Sequence, residues 1–154
     1  MSRTPRVVVA ALALAFAAGC AGEDDDRLSK QAYEQKVQTV YADVQQAFRN
    51  TRGASGEELS GRIVLAQEAL RHAADQLAAV KPPEEVEVHN ADLVEGMREY
   101  ADALDAAVRA ASRNDRAALE RFGNVSTNPG VREMAEAAEE MKHKGYDLGP
   151  IAEE

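Results

Sequence analysis

From Arg27 onward, apolar and small side chains recur at alternating intervals of four and three. That period gathers them along one side of an α-helix and fits no strand. The first stripe is Tyr33, Val37, Val40, Val44, Ala47 and Thr51, widened by Tyr41 and Phe48. A second runs through Leu59, Ile63, Ala66, Leu70, Ala73, Leu77 and Val80, and a third through Val86, Asn90, Leu93, Met97, Tyr100, Leu104, Ala107 and Ala111. A last, shorter one holds Val131, Met134, Ala138 and Met141. Asn90 is the polar member of its stripe, a position where a lone amide can set helix register.

The breaks between stripes define the connections. Gly53 to Gly56 ends the first helix, and Ser55 with Glu58 reads as a capping box opening the second. Pro82 forces Lys81 out of helical geometry, while Pro83 suits the first turn of a third helix. Ser112 to Asp115 is a turn, with Ser112 or Asn114 capping a short helix through Phe122; Asn128-Pro129 starts the last helix, which ends at Gly145. Tyr146, Leu148 and Ile151 are placed to dock on the bundle. Three helices of roughly 25 residues and a fourth broken in two predict an all-α, antiparallel up-and-down four-helix bundle. A long coiled coil is the competing pattern, but frequent breaks and short connections favour antiparallel neighbours.

The first 20 residues are built differently. Arg3 and Arg6 precede an apolar run from Val7 to Ala18, which is too short to span a bilayer, and Ala17-Ala18-Gly19 leads into Cys20, the only cysteine. The segment resembles the lipobox signal peptide of bacterial lipoproteins, with Ala17 where Leu is commonest. The resemblance implies lipid on the Cys20 thiol and cleavage before it, and hence a lipid-anchored chain on the extracytoplasmic side of the cell membrane. A plain secretory signal is the alternative. The lipobox, the acidic residues after it, the Ala-rich stripes and Pro82-Pro83 followed by His89 and Leu93 also resemble small helical lipoproteins of high-GC bacteria. The stretch from Ser112 to Leu119 resembles the inter-helix turn of those proteins. That likeness implies a fold and an address, but no activity.

The organisation expected is a signal peptide over 1–19, an acidic tether over 20–26, a helical domain over 27–148 and an acidic tail over 149–154. The tether reaches about 25 Å when extended. Loss of residues 1–19 removes two arginines and no acid, taking the formal net charge from −9 to −11. So acidic a surface disfavours nucleic acid, whose phosphates need clustered Lys and Arg. It also disfavours lying flat on an anionic membrane, so the membrane partner is reached through lipid on Cys20.

No haem-attachment, zinc-protease, nucleophile-elbow or phosphate-loop motif is present, so neither enzyme activity nor a cofactor is expected. The Ala-rich stripes predict close helix approach, with little room for a large ligand. One constellation merits weighing. Glu68, His72 and Asp75 on the second helix recur in spacing as Glu85, His89 and Asp92 on the third. A hairpin turning tightly near Lys81-Pro82 would bring His72 level with His89, a conceivable metal site. Against it, Leu70 and Ala73 place Glu68, His72 and Asp75 on the outer face, where acids around histidine ordinarily make modest helix-surface pairs. His143 reads as a helix-end cation. The leading expectation is a non-enzymatic binding or spacer module at the cell envelope, its partner an envelope protein or ligand not named by the sequence. A metal- or small-ligand-binding bundle is the alternative.

Overall fold

The computed structural model describes residues 26–123 and 125–149. The expected signal peptide, Cys20, the expected tether apart from Asp26 and the expected tail apart from Gly149 lie outside the described residues. Within them the expected all-α class holds, with five α-helices, two short 3₁₀ turns and no strand. The helices are α1 (Lys30–Arg49), α2 (Gly56–Ala78), α3 (Glu87–Ser112), α4 (Arg116–Phe122) and α5 (Pro129–His143).

The stripes face inward as their spacing requires. Tyr33, Val37, Val40 and Val44 of α1 are buried, as are Ile63, Ala66, Leu70, Ala73 and Leu77 of α2 and Leu93, Met97, Leu104, Ala107 and Ala111 of α3. Caps decide several boundaries. Ser29 accepts from the Ala32 amide, and Asn128 accepts from the Val131 amide with Pro129 in the first turn. Two expected caps differ. Ser55 makes no side-chain cap bond, and the Glu58 carboxylate that would complete the box is instead paired with Arg62. Neither Ser112 nor Asn114 caps α4; the neighbouring Asp115 does, accepting from the Ala118 amide at 3.0 Å.

α2 and α3 are antiparallel and share the largest interface, but not in the register that a tight turn would impose. Leu77 faces Asn90, Ser60 faces Val108 and Gln67 faces Ala101. Each partner on α3 lies four to five residues further along than a turn centred on Lys81-Pro82 predicts, or about 6–8 Å at 1.5 Å per residue. The cause is the connection, which spans residues 79–86 and includes a 3₁₀ turn at Glu84–Val86. Two buried amides hold this register. The Tyr33 hydroxyl donates to Asn90 Oδ1 at 2.9 Å, and Asn90 Nδ2 donates to the Leu77 carbonyl at 3.3 Å, tying α1, α2 and α3 together. Gln67 Nε2 donates to the Ala101 carbonyl at 2.6 Å and to Asp105 at 2.7 Å.

α5 packs on α3 and reaches only part of its length: 15 residues against 26. The short α4 folds back along the remainder. The α3–α5 crossing is made of glycine. A Cβ on Gly96 would stand 2.6 Å from the Gly130 carbonyl oxygen, and one on Gly130 would stand 2.5 Å from that of Gly96. α1 and α5 meet at one end through Tyr33, whose hydroxyl lies 3.6 Å from Met141 Sδ. There Tyr146 and Leu148, just past α5, are buried as the stripe analysis expected. The Tyr146 ring stands edge-on to Tyr33 at 6.0 Å, its hydroxyl donates to Glu85 at 2.7 Å, and Lys30 lies over its face at 4.7 Å.

Adding one methyl at the glycine crossing forces the helices apart. Gly96→Ala should lower stability by about 1–3 kcal/mol, the usual range for overpacking. Gly61→Ala, on the exposed face of α2 with open space around it, should stabilise by up to about 1 kcal/mol. Urea denaturation followed by circular dichroism checks both; equal responses would mean that the crossing is not tight.

Candidate functional site

The end at which α1 and α5 part is the opposite one, around the C-terminal half of α1. A cleft of about 460 Å³ opens there between α1, α3 and α5, within the usual range for small-molecule sites. Its floor is Leu70 of α2 and Met97 of α3, both nearly fully buried. Val44 and Phe48 form one wall, Val131 and Met134 the other. Val125, from the 3₁₀ turn before α5, closes an edge and is exposed. The expectation of little room for a large ligand stands beside this cleft of small-molecule size. It holds where alanines pack α2 on α3, but this cleft is lined by larger residues that do not meet.

Phe48 and Tyr100 stack across the cleft, with ring centres 5.7 Å apart and planes within 4°. Each thereby commits one face to the other. Burial pushes the Tyr100 phenol above its ordinary range, so it stays neutral. Arg49 and Arg52 stand at the rim. Arg49 donates to Gln45 and Gln46, both neutral, and neither arginine makes an ion pair with a carboxylate among the described residues. No Asp or Glu lines the cleft.

The same two helices, α3 and α5, make a contrasting surface elsewhere. His89, Asp92, Glu133, Glu136, Glu139 and Glu140 line an open acidic groove. Partial desolvation raises the Glu133 carboxyl above its usual range, reinforced by Glu95, Glu99, Asp92 and Glu136. His89 stays close to Asp92 at 3.9 Å, and His143 lies 3.7 Å from Glu139 at the end of α5.

The six residues weighed as metal ligands are not brought together. His72 and Glu68 are exposed on α2, at about the level of Gly96 rather than His89. Asp75 pairs with Arg98 at 3.1 Å, and Glu85 accepts from Tyr146. Among the described residues, no three His, Cys, Asp or Glu side chains converge as a metal would require. The displaced hairpin register is the physical reason. Sequence reasoning, in turn, missed the cleft. The stripes contain its walls, Val44 and Phe48 in the first and Val131 and Met134 in the last, but no local pattern marks the gap between them. No known protein family, curated protein or solved structure matches this chain.

Glu133→Gln removes one charge from the crowded groove. The wild-type carboxyl has a raised native pKa, so the folded state is penalised at pH above that value, and the penalty vanishes below the unfolded value of 4.5. The variant should therefore melt higher than wild type at pH 7 and match it at pH 3.5. A gain that persists undiminished at the lower pH would rule out charge repulsion as its source.

Proposed function

We propose that this chain is a lipid-anchored, extracytoplasmic binding module without enzymatic activity, and that the α1–α3–α5 cleft is its working surface. The observation that supports binding is the cleft itself, a largely apolar space left open between α1, α3 and α5. Such a space exposes apolar surface that folding alone gains by covering, at roughly 25 cal/mol per Å². Anchoring rests on the Arg3, Arg6, Val7-to-Ala18 and Cys20 pattern. No described helix is long and apolar enough to cross a membrane.

The two parts of the reading fit together in space. The chain enters α1 at Lys30, and the cleft is lined by α1 residues from Tyr41 to Arg49. At 1.5 Å per residue those side chains lie about 16–29 Å along the helix from its start. A tether at Cys20 would leave the cleft at the end of the bundle away from the membrane, open to the aqueous side. A chain of formal net charge −9 gains little from lying flat on an anionic bilayer, which favours lipid as the anchor.

Cys20→Ser tests the anchoring. The wild type should fractionate with membranes and carry label from a palmitate analogue at residue 20, with residues 1–19 removed. The variant should lose the label and leave the membrane fraction. Mass spectrometry that finds an unmodified Cys20 thiol in the mature protein would end the lipoprotein reading.

A further inference from the structure

We propose that the cleft takes a long-chain carboxylate: one flexible hydrocarbon tail in the apolar space and one anionic head group at Arg49 and Arg52. This rests on the reading of the cleft as the binding surface and adds the class of ligand.

Size favours a slender chain over a helical peptide held within the cleft. Two turns of helix about 10 Å across occupy roughly 800 Å³, and the cleft holds about 460 Å³. Wall chemistry favours a chain over a flat ring system. The Phe48 and Tyr100 faces that could sandwich a planar ligand are already stacked on each other. Met97 and Met134 supply unbranched, polarisable side chains that adapt to a flexible tail. Each methylene buried against such walls contributes about 0.8 kcal/mol, so a tail supplies affinity without specific polar contacts.

Charge selects the head group. In a chain of formal net charge −9, the rim of this cleft has two arginines, and among the described residues no carboxylate lines it and no ion pair reaches either cation. Arg49 is held by Gln45 and Gln46 on its own helix, which orients the guanidinium without neutralising it. Arginine offers a planar fork of donors matched to a carboxylate. The acidic groove on the other side of α3 and α5 would repel the same ligand.

The test uses the processed, lipidated protein in phosphatidylcholine vesicles. Two photoreactive probes with the same sixteen-carbon, diazirine-bearing tail are compared: one ends in a carboxylate, the other in a neutral primary amide. The carboxylate probe should label peptides containing Met97, Tyr100 or Met134, and unlabelled palmitate should compete it away. The neutral probe should label about tenfold less, as expected for loss of a charge-assisted contact. Arg49→Gln with Arg52→Gln, both exposed and remote from the core, should bring the carboxylate probe down to the neutral level. Equal labelling of the cleft by both probes in the wild type would overturn the anionic head group while leaving a binding cleft in place. Adducts confined to other surfaces, or none from either probe, would overturn the cleft as the working surface.

Discussion

Gly96 and Gly130 let two helix backbones touch, and the placing of α5 depends on that contact. Interaxial distances of 8–10 Å are usual, and side chains at the crossing set where a pair falls in that range. With glycine on both partners the backbones meet directly. α5 is thereby committed to α3 at its N-terminal end, and a helix drawn to one neighbour cannot also cover another. At its C-terminal end the space beside α1 is filled by Met141, Tyr146 and Leu148 around Tyr33. Nothing comparable follows Val131 and Met134 toward Phe48. The cleft is the geometrical remainder of a close contact elsewhere.

The buried amides act on a different degree of freedom. Apolar stripes let antiparallel helices slide by a turn at little cost, since alanine presents much the same surface at each level. Asn90 and Gln67 remove that freedom, because a slip would leave buried donors unpaired, at about 1–3 kcal/mol each. Asn90 also recruits the Tyr33 hydroxyl, so α1 is fixed to the same level. Burial, aided by Tyr146, holds the Tyr33 phenol neutral and able to donate. No buried side-chain polar atom is left unsatisfied among the described residues, so these contacts specify the core without straining it.

Helix content, helix faces and most boundaries were legible because they follow from local pattern. Val37, Leu70 and Leu93 are where a period of four and three puts them, and Pro82 and Asn128 stop and start helices by their own chemistry. What was illegible depended on separation in space. The length of the 79–86 connection could not be read from its prolines, and that error alone set His72 opposite His89. Ser55 and Glu58 had the spacing of a box, yet Arg62 one turn on competed for the glutamate. Gly96 and Gly130 carry no local signal of their contact, since a close crossing needs both partners and only a fold reveals the second. The place of Arg49 and Arg52 at the rim of a cleft is illegible for the same reason.

Net charge, which dominated the reading of composition, turns out to say little about the cleft. At physiological ionic strength charges are screened over about 8 Å, so a ligand at the rim responds to the groups immediately around it. Acids on the far side of α3 and α5 are largely invisible from there; two guanidiniums at the rim, without a carboxylate partner among the described residues, are not. The bundle keeps the two signs apart by using opposite sides of one helix pair, with carboxylates crowded where Glu133 is raised and cations where Phe48 and Tyr100 stack. An acidic protein can therefore present a locally cationic, apolar opening. The overall charge would then govern solubility and distance from an anionic bilayer, and the cleft would govern what is bound.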